Sequence, residues 1–151
     1  MTNFGSDRVR GEVLLIARIL LALLFLTFGW GKLTDFSKTV AYMAQTGLPL
    51  PSAAALVAIV IEFFGSIALV LGIWTRPLAV LLAFYTLASA FIGHPYWTLP
   101  DPGRYGNMIN FYKNISIMGG FLLLYITGAG KYSIDAKLGS ADTPPLPSQA
   151  L

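Results

Sequence analysis

The chain contains no cysteine, which excludes disulfides, thiolate metal sites and paired-thiol redox chemistry. It does not fix the compartment. Charge is scarce as well: 11% of residues are charged, against about 25% in an ordinary soluble domain, too few to clothe a water-facing surface. There is one histidine, His94, so the paired axial ligands of a membrane haem are excluded. A metal at His94 would need Asp35 and Asp101 from the same side, and an interfacial or proton-titrating histidine is the simpler reading, so no metal site is expected. The net charge of +3 comes without a lysine/arginine run that would track a phosphate backbone, so no nucleic-acid partner is expected. Gly-rich phosphate loops and nucleophile–base motifs are absent too.

What fills the chain instead is apolar: 56% of residues are hydrophobic. Four stretches, about 13–33, 52–74, 77–93 and 107–128, are long enough, or nearly so, to cross a hydrocarbon core of about 30 Å at 1.5 Å per residue. In lipid a lone segment must satisfy its own backbone groups, so each is expected to be helical. The fold class predicted is all-α, an integral membrane four-helix bundle with short loops. Three units follow: a polar segment 1–12, a four-span membrane domain 13–137, and a proline-rich tail 138–151 expected to be disordered. The first span lacks a small-residue cleavage site after it and reads as retained.

The link Thr34–Pro51 contains Gly47-Leu48-Pro49-Leu50-Pro51, which cannot continue a helix, and Ser52 is the expected N-cap of the second span. The Gly72–Pro77 connection is so short that spans two and three must be antiparallel neighbours. In the loops, Arg8, Arg10, Arg76, Lys131 and Lys137 lie on one side, and Lys32, Lys38 and Arg104 on the other. That bias predicts both termini in the cytoplasm.

Three spans carry an ionisable residue well inside: Arg18, Glu62 and Lys113. A charge at mid-membrane costs about 2.5–3.5 kcal/mol on insertion scales, so such residues mark function or an internal partner. Glu62 lies near the middle of its span and is within reach of either cation. Arg18, Phe25, Gly29 and Lys32 share one helical face; Glu62, Gly65, Ser66, Leu69 and Gly72 share another; Lys113, Ile117, Gly120 and Leu124 a third. Small residues on each charged face predict that these are also the packing faces. The expected buried polar network is Arg18, Glu62, Lys113 and Asn114, with Lys32, His94 and Asn110 as candidates at the outer end. Two plainer readings stand beside it: Arg18 and Lys113 snorkelling to an interface, and Glu62 as a fixed clamp between helices. Asn110 and Asn114 also suit interhelical hydrogen bonding alone.

These residues together resemble the DoxX family of small bacterial membrane proteins. The pattern runs from Arg18 through Phe28-Gly29 to Lys32, then Glu62-Phe63-Phe64-Gly65 and Leu71-Gly72-Ile73-Trp74-Thr75-Arg76. It continues with His94, Lys113-Asn114, Gly119-Gly120 and Gly128-x-Gly130-x-Tyr132-Ser133-Ile134-Asp135, covering most of Glu12 to Lys137. Phe64 departs from it, since the family often has glycine there. The resemblance implies a four-helix protein of the bacterial inner membrane. Some members look like subunits of quinone-linked oxidoreductases, including a thiosulfate-oxidising enzyme; others are linked to oxidative-stress or electrophile responses, and many have no assigned activity.

Two functions remain open at this point. One is an accessory or quinone-handling subunit, with Trp30, Phe63, Tyr85, Phe111 and Tyr112 as ring-stacking candidates and quinone as the cofactor class. Beyond the lipid bilayer, its partners would be a redox subunit or a second copy of the chain. The alternative is a non-catalytic membrane scaffold or assembly partner, suggested by the small size and the lack of a catalytic motif of its own. A small-solute transporter is disfavoured, because no inverted repeat or broken mid-membrane helix is evident.

Overall fold

The computed structural model describes residues 4–139. Most of the tail expected to be disordered, residues 140–151, lies outside the described residues. No strand occurs among the described residues, and four helices are long and apolar enough to cross a membrane.

The first helix, α1, covers Phe4–Thr34. It begins nine residues before the apolar run, where Arg8 and Glu12 pair one turn apart at 3.1 Å. That spacing supports a helix in polar surroundings. The link Thr34–Pro51, for which no helix is expected from its Gly47–Pro51 end, contains a second helix, α2, Phe36–Gln45. Two local features produce it. The Asp35 side chain caps it by accepting from the Lys38 amide at 3.1 Å, and Thr39 and Met43, one turn apart, are buried together. Met43 packs on Ala55 and Ala58 of the next helix, so α2 lies across the bundle instead of leaving it.

Helix α3 spans Pro51–Leu71. It starts at Pro51, with Leu50 in a left-handed conformation as its N-cap, so Ser52 is not the cap. Proline at the first helical position sets that boundary, its fixed φ and missing N–H both suiting the place. Within α3 the turn Val60–Phe64 is π-helical, closed by the Gly65 amide on the Val60 carbonyl. Gly72, at φ 70°, ends the helix, and α4 runs from Thr75 to Gly93 antiparallel to it. A short 3-10 turn, Tyr96–Thr98, leads to α5, Gly103–Thr127, and a last short helix α6, Ile134–Lys137, follows.

The core lies between α1, α3, α4 and α5 and is built from Ala22, Phe25, Leu69, Ala79, Leu82, Ala83, Phe121 and Leu124. Phe25 and Phe121 meet edge to face with ring centroids 5.5 Å apart. Many of these residues are alanine, which lets helices approach closely where lipid offers no hydrophobic drive for association. The outward faces stay apolar, with Val13, Ile16, Leu20 and Leu23 of α1 and Leu123 and Ile126 of α5 exposed. Lipid satisfies such a surface; water would not.

Candidate functional site

On the side of the bundle away from the described chain ends, α1, α2, α3, α4 and α5 enclose a cavity of about 850 Å³. Its walls include Leu24, Phe25, Met43, Val57, Ala58 and Ile92, and into this apolar chamber project Lys32, Glu62, Tyr85, His94, Asn110, Lys113 and Asn114. The volume falls in the range of ordinary small-molecule sites, about 300–1,000 Å³.

Glu62 is the centre of the chamber's best-defined cluster. It is 6% exposed. One carboxylate oxygen accepts from Lys32 Nζ at 2.7 Å and the other from the Tyr85 hydroxyl at 2.5 Å. Two local features bring these groups together. The π-helical turn carries Glu62 itself, and the extra residue in such a turn re-aims the side chains around it, a distortion common at functional sites. Gly29, one turn before Lys32 on α1, touches that turn: a Cβ there would stand 2.7 Å from the Phe63 nitrogen. The missing side chain thus lets α1 close on α3 and delivers Lys32 to the carboxylate.

This pairing corrects the sequence expectation that Glu62 meets Arg18 or Lys113. Arg18 is fully buried, but it packs against Gly72, which lies ten residues beyond Glu62, or about 15 Å along α3. There its Nη2 donates to the Tyr132 carbonyl. Close by, the Asp135 carboxylate accepts from the Trp74 and Thr75 amides, each at 2.9 Å, while the Asp135 amide donates to the Gly72 carbonyl at 2.9 Å. Asp135 therefore caps the start of α4, and Arg18 lies within electrostatic range of it. Buried ionic groups at such a place fix the connection between helices, and Arg18 does not line the chamber.

Lys113 is also absent from the Glu62 cluster. It is exposed to the chamber and donates to Asn110 Oδ1 at 2.8 Å. Asn114 beside it is buried at 8% exposure. His94 is the C-cap residue of α4 and lines the same chamber, within electrostatic range of Lys113. The four-residue network expected from sequence is thus divided. Glu62 lies at one wall, Lys113 and Asn114 at another, and Arg18 at the far end of the bundle.

The aromatic candidates separate in the same way. Tyr85 lines the chamber. Trp30 and Phe63 pair at 5.7 Å on its outside. Phe111 and Tyr112 join Phe91, Tyr96 and Trp97 in a cluster of edge-to-face and tilted ring contacts near the α4–α5 loop. Sequence reading missed the roles of Asp135 and Lys32. For Lys32 the signal was present, since it shares a face with Gly29; for Asp135 it lay in the Ser133-Ile134-Asp135 motif, with no hint of the amides it meets.

Four spans around a chamber with a buried lysine–carboxylate–phenol cluster define a polytopic membrane protein with an intramembrane polar site. The chain belongs to the DoxX family, whose profile matches residues 13–95. Lys32, Glu62, Tyr85 and His94 fall inside the matched segment. The inner membrane protein YphA of Escherichia coli is 51% identical over 135 residues, covering 89% of this chain and 95% of its own. The inner membrane protein YqjF of the same organism is 43% identical over 127 residues, covering 82% and 90%. The ER-derived vesicles protein ERV29 of Saccharomyces cerevisiae is 28% identical over 139 residues, covering 89% of this chain and 36% of its own. No solved structure matches. The protein is accordingly a multi-pass inner membrane protein of DoxX type.

Proposed function

We propose that this protein handles a quinone in the chamber, as an accessory subunit of a membrane oxidoreductase system. The observation that carries the reading is the Glu62 carboxylate shared between Lys32 and the Tyr85 hydroxyl at the wall of an apolar chamber. A quinone carbonyl needs a hydrogen-bond donor, and the Lys32 ammonium keeps N–H groups beyond the one it gives to Glu62, while the single Tyr85 proton is held by the carboxylate. Bound quinone would supply reversible two-electron, two-proton chemistry, with electrons drawn from a redox centre on a partner subunit. Glu62 and Tyr85 form a proton-holding pair of the kind such chemistry needs. Lys32 would hold the carboxylate in its orientation. The apolar walls suit a ring and the start of an isoprenoid tail. With both termini cytoplasmic, as the loop lysines and arginines favour, the chamber sits in the outer half of the membrane.

The test uses protein purified in mild detergent. Solvent extraction is expected to recover membrane quinone from it. Added decylubiquinone is expected to raise its melting temperature, with a smaller rise for Glu62→Gln and Tyr85→Phe. Neither quinone in the extract nor any shift on adding it would overturn the reading.

A further inference from the structure

A second charged group lines the chamber from α5. Lys113 lies ten residues into α5, or about 15 Å along the helix from Gly103, far from either end of the span. Among the described residues its hydrogen-bond partner is the neutral Asn110 carbonyl oxygen, and no carboxylate stands within ion-pair distance. Lys32, by contrast, is matched by Glu62. Three lysines line the chamber, Lys32, Lys38 and Lys113, against two carboxylates, Asp35 and Glu62, so one positive charge is left over.

Two further polar groups stand beside Lys113. Asn114 is 8% exposed and lines the chamber. His94 also lines it, and its Nδ1 is buried without a partner. Buried polar atoms are nearly always hydrogen-bonded, so the open His94 Nδ1, beside a cation with one neutral partner and an amide lining the same space, calls for a ligand that meets them together. A cation without a counter-charge at this depth favours an anion.

We infer that Lys113, Asn114 and His94 form the head-group site for a small anionic amphiphile, one bearing a carboxylate or phenolate on an apolar body. Its oxyanion accepts from Lys113 Nζ and the Asn114 amide, and the body lies against the walls shared with the Glu62 cluster. This deepens the quinone reading by naming a ring that carries an ionised hydroxyl. It rests on that reading only for the identity of the ring.

Two probe pairs, measured by calorimetry on the full chain in detergent, separate these claims. The first is hydroxynaphthoquinone, ionised at neutral pH, against its neutral methyl ether; the second is decanoate against decanol. Wild type is expected to prefer the anion of at least one pair by about tenfold, the effect of one charge-assisted hydrogen bond. Lys113→Gln is expected to abolish that preference and Lys113→Arg to keep it. If only the decanoate pair shows it, the anion site stands and the claim that its occupant is a quinone ring with an ionised hydroxyl falls. The quinone reading itself is decided by the extraction and decylubiquinone measurements. If neither pair shows a preference, or if one survives in Lys113→Gln, Lys113 is merely a hydrated lysine and the inference is overturned.

Discussion

Gly29 of α1 lies so close to the π-helical turn of α3 that an added Cβ would stand 2.7 Å from the Phe63 nitrogen and 2.9 Å from its Cα. Backbone, not a flexible side chain, occupies that space. Gly29→Ala is therefore expected to push α1 away from α3 and stretch the Lys32–Glu62 pair, at the cost of about 1–3 kcal/mol typical of overpacking. Thermal unfolding in detergent would register the loss. A variant melting like wild type would mean that the helices part freely.

Removing one member of the Lys32–Glu62 pair strands the other in an apolar wall. For Lys32→Met the expected destabilisation is about 3–5 kcal/mol, the usual consequence of breaking a buried pair. Lys32→Met combined with Glu62→Leu should recover much of this, because no charge is then left alone. A double-mutant cycle measures the coupling, and additive losses would contradict the pairing.

Tyr85→Phe keeps the ring and deletes one donor to Glu62. The expected stability loss is about 1.5–3 kcal/mol, the range for a hydrogen bond to a charged group. The double variant Tyr85→Phe/Lys32→Met should be the least stable of this set, since the carboxylate then has neither donor. Equal melting of wild type and Tyr85→Phe would show that the phenol contributes nothing.

At the other end of the bundle, Asp135→Ala uncaps two amides of the α3–α4 turn and removes the carboxylate near Arg18. A loss of at least about 1–2 kcal/mol is expected, the scale of a single N-cap. Gly72→Ala should be worse. Its backbone is at φ 70°, and the new methyl would overlap Arg18 Nη1 and Ser133 Cβ. Comparing the amounts of folded protein recovered from membranes would rank the two.

Lys113→Gln is the contrasting case. Lys113 is exposed to the chamber and bonded to Asn110, so its removal should change stability by no more than about 0.5 kcal/mol. A melting curve displaced well beyond that would reveal a structural role.

Much of the bundle is legible in the sequence because lipid leaves few options: an apolar run of sufficient length becomes a helix, and small residues mark where helices touch. Gly29 and Lys32 on one face of α1 already marked that face as one that packs, without naming the helix it meets. Which charges pair is harder to read. It depends on the level at which each side chain meets its neighbour, and Arg18 is about 15 Å from Glu62 along α3. The π-helical turn is invisible for a related reason. Val60-Ile61-Glu62-Phe63-Phe64 has ordinary helix-forming character, and the extra residue is accommodated by the packing of α1 on the turn. The α2 helix escaped notice because its cap, Asp35, and its buried pair, Thr39 and Met43, are modest signals in a polar link whose clearest feature is the helix-breaking Gly47-Leu48-Pro49-Leu50-Pro51 at its end. Asp135 acts across 60 residues of chain, beyond any local pattern.

That separation bears on how the protein is made. Thr75, at the start of the third crossing, emerges from the ribosome long before Asp135, so during synthesis its amide must rely on water or on headgroup oxygens. The fastening arrives only when translation is nearly finished. A chain interrupted between Thr127 and Asp135 would carry every membrane crossing yet lack the residue that locks the second to the third, leaving a product open to quality-control proteases.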